Sequence, residues 1–398
     1  MKDEDKVKLE QYFKEDPYWI EKSREMYIDK VFEDSTAIQN VHTPESLCSE
    51  VVGKLKENCE LSGRKILILN PEFATILGNE DITFLSDCPK KSRYVKGFYP
   101  NIKVIEADFL KWESEMKTFD VCVMNPPYHS QSDASDTNTQ ALWHKFVAKA
   151  IDVVKEDGFL VAIHPSGWRN VAGAYKDTQA LLKSKSMKYL KLHSFRDGQL
   201  VFNVAINFDY YILQNTNNKK CLTNILFEDG VEQKIDISKL EFIPSENFNE
   251  IMSLVAKDGE EKVEILGNCS YHTQKDYMAR ENKGEYKYPC VYTVKSPDKG
   301  NIPTFYFSTL NTKGHFGIPK VIFAGGASGV YIDSNAEYGL TQFAYAIVDQ
   351  PKNLENIKKA LQSERFIRKI MGFKFSLGDK YNRKIIATFR KDFWKEFV

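Results

Sequence analysis

The chain has 398 residues, 42% of them hydrophobic and 13% aromatic, which is material for two domains and excludes a largely disordered polymer. Fifty-five basic side chains balance 55 acidic ones, so no global field draws the molecule to nucleic acid or a membrane, and any polyanion site must be local. No apolar run approaches the roughly 20 residues of a membrane helix, and the opening MKDEDKVKLEQ is charged where a signal peptide is apolar, so a soluble cytoplasmic or equivalent setting is expected.

Residues 1–40 alternate aromatic and charged side chains at helical spacing (Tyr12, Phe13, Tyr18, Trp19, Tyr27, Phe32) and read as a helical extension. From Lys65, short apolar runs alternate with longer amphipathic ones, the pattern of a parallel sheet covered by helices. Seven strands are predicted: 65–69, 82–85, 103–106, 121–124, 159–163, 189–195 and 205–213. Between the fourth and fifth, TQALWHKFVAKAIDVVKEDG (139–158) puts Leu142, Phe146, Ala150 and Val153 on one helical face, with Gly158 as the C-cap. The turn-rich QNTNNKK (214–220) marks a boundary, giving an α/β domain over 41–215 and a second domain over 216–398. That second part shows β alternation broken by Gly and Pro, then returns to helix over its last 50 residues. The seven cysteines are scattered, without a C-x-x-C pair or a nearby His, so neither a disulfide nor a metal site is expected.

The fourth strand runs directly into Asn125, Pro126, Pro127 and Tyr128. Ligands of an open parallel sheet sit outside the carboxyl ends of its strands, which is where this tetrapeptide falls. Two prolines fix φ and remove two N–H donors, so the elbow is stiff and its carbonyls face outward. It offers two acceptors, the Asn125 side-chain oxygen and the Pro126 carbonyl, beside the ring of Tyr128. Such a set suits a planar heterocycle with an exocyclic NH2. The acceptors take the two amino hydrogens while the ring stacks, and out-of-plane acceptors localise the nitrogen lone pair into a nucleophile without a strong base. A strand-ending turn is the plain alternative. Asn or Asp followed by two prolines and an aromatic arises by chance in about one chain in a hundred of this size, given the ordinary frequency of Pro.

Over residues 40–215 the sequence resembles the S-adenosylmethionine-dependent amino methyltransferases, in particular the gamma class of DNA adenine-N6 methyltransferases of restriction-modification systems. The resemblance implies a Rossmann-like class I domain with a seven-stranded, mostly parallel sheet, followed by an α+β target-recognition domain. VHTPESLCSEVVGKL is similar to the family's Thr-Pro entry helix and implies that Thr43 contacts the methionine end of the cofactor. ITFLSD implies Asp87 for the ribose hydroxyls. VIEADFLKW implies Asp108 for the cofactor's adenine amino group and Phe109 for its ring. LVFNVAINFDYYIL resembles the segment that carries a second aromatic on the target base, here Phe202, although the family's spacing is longer.

One segment departs from the pattern. Where the family has an acid and a glycine-rich turn, this chain reads LILNPEFATILGNE. Asn70 replaces the acid, and Phe73, Thr75 and Ile76 stand where small residues let the backbone approach the cofactor. Either the loop follows another path, with Glu72 or Asn70 contacting the methionine amino group, or the pocket is closed and the protein is a non-catalytic DNA-binding relative.

The segment RFIRKIMGFKFSLGDKYNRKIIATFRKDFWKEF is basic, and Arg365, Arg368, Lys369, Lys374, Lys380, Arg383 and Lys384 read either as phosphate contacts or as a solvated helix face. Gly325, Gly326 and Gly329 bring backbone close to DNA or simply form a tight turn, and the polar 129–140 loop is a candidate for ordering on DNA. The resemblance implies methyl transfer to N6 of adenine in duplex DNA by base flipping, with double-stranded DNA and a companion restriction endonuclease as partners. RNA or a protein glutamine amide as acceptor, and a silent DNA-binding subunit, are the alternatives.

Overall fold

The computed structural model describes residues 42–78, 80–113, 117–129, 141–171, 173–217, 221–325, 329–370 and 381–398. The extension expected over 1–40, the 130–140 loop, Gly326, Lys374 and Lys380 lie outside the described residues. The chain divides into two compact units, one reaching Trp168 and resuming over Tyr175–Leu240, the other formed by Arg169–Ala174 and Glu241–Val398.

The first unit holds β1 (Lys65–Ile68), β2 (Asp81–Ser86), β3 (Lys103–Glu106), β4 (Phe119–Met124), β5 (Val154–Pro165), β6 (Lys185–His193), β7 (Phe208–Asn217), β8 (Thr223–Leu226) and β9 (Glu232–Ile235). They form one sheet in the order β3-β2-β1-β4-β5-β7-β6-β8-β9. All seven strands read from the sequence are present, and the first five pair in parallel while β7 runs antiparallel between β5 and β6. Two short strands, β8 and β9, extend the same sheet, so the division falls after Leu240 and not in the 214–220 turn. The central strands are buried on both faces, which is why they read as continuous apolar runs.

Helices α1 (Glu45–Asn58), α2 (Glu72–Leu77), α3 (Pro89–Phe98), α4 (Trp143–Val153), α5 (Lys176–Ser184) and α6 (Phe195–Phe202) complete this unit. As expected, α4 buries Phe146, Ala150 and Val153. Its C-cap, however, is Val154, and Gly158 lies inside β5. There the absence of a Cβ matters, because one built on Gly158 would meet the Asp120 carbonyl oxygen at 2.7 Å. The α6 N-terminus is closed by a reciprocal Ser194–Asp197 capping box.

The second unit contains α7 (Phe248–Met252), β10 (Glu264–Leu266), β11 (Met278–Ala279), β12 (Tyr288–Val294), β13 (Pro303–Ser308), β14 (Lys320–Ala324), β15 (Val330–Asp333), β16 (Gly339–Leu340), β17 (Ala344–Val348), α8 (Leu354–Gln362), α9 (Glu364–Ile370) and α10 (Arg383–Ile386). The strands form two four-stranded sheets, β10-β17-β14-β15 and β11-β13-β12-β16. Ile357 and Leu361 of α8 share a core with Val321 and Phe323 of β14. Lys320 and Asp333 form a fully buried ion pair at 2.6 Å. The remaining Lys320 donors reach the carbonyls of His315 and Ile318, and Asp333 accepts from the N–H groups of Glu337 and Tyr338, so both charges are hydrogen-bonded as burial demands. No helix among the described residues is long and apolar enough to cross a membrane.

Candidate active site at the carboxyl edge of the first sheet

Strand order reverses between β1 and β4, which pair in parallel with Ile66 opposite Val121 and Ile68 opposite Val123. This is the switch point where open α/β sheets bind ligands. Asn70 leaves the end of β1, Asp87 follows β2, Asp108 follows β3 and Asn125 follows β4, so four residues separated widely in sequence share one edge.

The β1–β4 ladder continues one step past the strands through Leu69 N–H to the Val123 carbonyl, at 3.3 Å. Backbone pairing then stops, because Pro71, Pro126 and Pro127 have no N–H to give. The Asn70 side chain supplies the missing rung. Its Oδ1 accepts from Asn125 N–H at 2.7 Å, and its Nδ2 donates to the Asn125 carbonyl at 3.0 Å. A carboxylate could accept the first bond but not donate the second. That gives a physical reason for an amide at the position where the resemblance expects an acid.

Two more bonds fix the Asn125 side chain. Asn125 Nδ2 donates to Thr43 Oγ1 at 3.1 Å, and Thr43 N–H donates to Glu72 Oε1 at 2.8 Å. Thr43, Asn70, Glu72 and Asn125 are all buried, so these bonds are shielded from water. With Nδ2 held by Thr43, Asn125 Oδ1 is left buried and without a hydrogen-bond partner among the described residues. The same holds for Glu72 Oε2 and for the Tyr128 hydroxyl. A buried orphan costs about 1–3 kcal/mol, so three around one edge mark a place built for a ligand's donors and acceptors.

Burial raises the Tyr128 phenol well above its usual range, so the ring stays neutral. Its main-chain carbonyl accepts from Leu142 N–H at 3.0 Å, tying the elbow to the start of α4. Lys91 on α3 is buried; desolvation lowers its pKa, and the nearby charges of Glu72, Cys88 and Asp87 oppose that. Sequence reading missed Lys91, because in PKKSRY it looks like any solvated helical lysine.

The first loop does not run as a turn. The chain enters α2 at once, and Phe73 points into the hydrophobic core with Leu47, Ile66 and Val121 while Thr75 is exposed and Ile76 lies partly buried against that core. The bulk that a glycine-rich turn would exclude is therefore spent largely on packing.

Asp87 is exposed at the end of β2. Asp108 accepts from Leu110 N–H at 2.9 Å and pairs with Lys111 at 3.3 Å. Phe109 is buried and stacks on Phe146 with centroids 5.5 Å apart. Phe202 ends α6 in the same core cluster as Phe73, edge-to-face with Phe208 at 4.9 Å.

The basic surface is smaller than the sequence suggested. Lys369 is buried beside Glu250 at 3.1 Å and so does not present its ammonium to a phosphate. Arg365 and Arg368 are exposed; Arg365 donates to the Glu396 carbonyl at 2.9 Å, and Arg368 pairs with Glu364. Arg383 and Lys384 are half-buried on α10. Gly329 packs against its own chain, since a Cβ there would lie 1.9 Å from the Lys295 carbonyl.

Residues 56–202 match the family model described as Eco57I restriction-modification methylase. No curated protein matches the chain. The type IIG restriction endonuclease BpuSI is similar over 95% of this chain and 63% of its own, at 10% identity and a TM-score of 0.51. A type I restriction-modification methyltransferase subunit from Streptococcus thermophilus is similar over 50% of this chain and 52% of its own, at 16% identity and a TM-score of 0.38. The chain thus spans between about half and two thirds of the length of these two proteins. The match over 56–202 is thus to restriction-modification methylases, the fold of the first unit is that of the class I methyltransferases, and the matched family implies S-adenosylmethionine as the cofactor.

Proposed function

We propose that the protein methylates DNA, moving a methyl group from S-adenosylmethionine to N6 of an adenine extruded from the duplex. The observation that carries this reading is the buried, unpartnered Oδ1 of Asn125, held in place by Asn70 and Thr43. An amino group is the donor that such an oxygen lacks.

The edge fits the cofactor by its chemistry. Glu72 Oε2, buried without a hydrogen-bond partner, suits the cofactor's ammonium, with Thr43 beside it. Asp87 takes the ribose hydroxyls, Asp108 the adenine amino group, and Phe109 packs on that ring. Once bound, S-adenosylmethionine supplies an activated methyl group for direct displacement. Asn125 Oδ1 and the Pro126 carbonyl accept the two amino hydrogens of the target base, and Tyr128 stacks on its ring. Held in this way, the amine would have its lone pair localised toward the methyl group that the cofactor would supply, and its surplus proton would pass to solvent. Positioning and fixed dipoles do this chemistry, without a general base of high pKa.

Extrusion costs a few kcal/mol and requires a grip on flanking DNA, for which the second unit is the candidate. Phe202, which ends α6, is the candidate for the second ring on the base. Packing of Phe73 away from the edge favours the catalytic reading over a silent subunit. A methyl-transfer assay on duplex DNA with Asn125→Ala tests the proposal: transfer falls by at least about a thousandfold while DNA affinity is kept. Undiminished turnover removes the assigned role.

A further inference from the structure

The second unit carries a groove of about 560 Å³ whose walls include Asn170, Tyr292, Phe343, Tyr345, Arg383 and Lys384. Two of its rings are exposed to a degree unusual for large aromatics, Phe343 at 48% and Tyr292 at 36%. They meet edge-to-face at 5.1 Å, and Tyr292 continues to Tyr306 at 5.3 Å, giving an aromatic shelf on β12, β13 and the β16–β17 turn. On α10, the Arg383 guanidinium lies over the Tyr345 ring at 4.6 Å and bonds the Gly267 carbonyl at 3.4 Å, so this cation is pre-positioned and not free to swing away.

Exposed ring faces beside a fixed guanidinium and a neighbouring lysine in one groove fit the two halves of a nucleotide, a flat base and a phosphate. The volume falls in the usual range of about 300–1,000 Å³ for small-ligand sites. Within a duplex the base faces are stacked on one another, so a shelf of this kind takes a base already out of its stack.

We propose that this groove binds one unpaired nucleotide of a nucleic-acid strand, its base on Phe343 and Tyr292 and its phosphate on Lys384 and Arg383. The assignment rests on the nucleic-acid reading of the protein's function but adds a second contact, remote in sequence from Asn125. A strand is favoured over a free nucleotide because the rings are open to solvent, whereas a mononucleotide must be enclosed to be held.

The test uses the full chain and a single-stranded octamer carrying 2-aminopurine, read by fluorescence, with AMP as a competitor. The wild type is expected to bind the octamer with a change in 2-aminopurine fluorescence. Phe343→Ala should weaken binding about tenfold or more, and Lys384→Ala should lower the salt dependence by about one phosphate's worth. AMP should not compete at micromolar concentration. Equal binding by Phe343→Ala, Lys384→Ala and wild type, with melting temperatures unchanged, overturns the groove while leaving methyl transfer at Asn125 standing. Competition by micromolar AMP assigns the groove to a free nucleotide and overturns the strand. Absence of any oligonucleotide binding by the wild type, together with no methyl transfer, overturns both readings.

Discussion

The side-chain amide of Asn70 holds the main chain of Asn125 at both of its polar groups, accepting at 2.7 Å and donating at 3.0 Å. It continues the β1–β4 ladder beyond the point where prolines end it. Asn70→Asp keeps the acceptor, loses the donor, and sets a carboxylate against a carbonyl. Steady-state kinetics should show kcat down by about 10- to 100-fold with KM for DNA little changed, and denaturant melts should show a loss of about 1–3 kcal/mol. A variant with wild-type kcat would mean that the elbow is held elsewhere.

Thr43 takes the Nδ2 end of the Asn125 amide and leaves Oδ1 without a hydrogen-bond partner among the described residues. Thr43→Val keeps the shape but removes the acceptor for Nδ2, so the amide is released and kcat should drop by about tenfold or more. Thr43→Ser keeps the oxygen and should stay near wild type. Comparable activity of the two variants would rule out an orienting role.

Glu72 spends one carboxylate oxygen on Thr43 N–H and leaves the other without a hydrogen-bond partner among the described residues. Glu72→Gln preserves the size and one acceptor but removes the charge that, in the proposed function, meets the cofactor's ammonium. Calorimetry should show S-adenosylmethionine affinity reduced by roughly 10- to 100-fold, with free oligonucleotide binding unaffected. Unchanged cofactor affinity would place the methionine end against other residues.

Acid should loosen the first unit through its buried histidines. His164 stacks on Trp143 at 4.2 Å, and burial holds its pKa down to about 4. His193, stacked on Phe208 at 4.1 Å, is likewise held to about 4 by burial and then by the Lys191 charge. Each is neutral in the folded chain while its unfolded counterpart protonates near 6.5. The stability they carry is therefore complete above about pH 6.5 and is lost as pH falls from there toward 4, by up to about 3 kcal/mol for each. Urea melts at pH 7, 6 and 5 should show this slope, and His164→Gln should flatten it. A slope identical in the variant would assign the acid sensitivity to other groups.

The seven strands were legible because buried parallel strands are continuous apolar runs. The elbow was legible because prolines at a strand end have few structural substitutes. What sequence could not show was partnership. Asn70 reads as a lost acid until its amide is seen completing a ladder, and Phe73 reads as an obstruction until it is seen in the core. Short polar strands such as TNIL and EQKI carry no periodic signal, so β8 and β9 passed for the start of another domain. Lys369 looked available for phosphate because burial beside Glu250 leaves no trace in local composition. Tyr292 and Phe343 were invisible as a shelf, since alternating aromatics in a strand equally describe a core.

Nucleoside mass spectrometry of duplex DNA after incubation with methyl-labelled S-adenosylmethionine tests the central claim most directly. N6-methyladenine should appear with the wild type and vanish with Asn125→Ala. Label found only on RNA, on a protein amide or on cytosine, or no label at all under conditions where both cofactor and DNA bind, would contradict it.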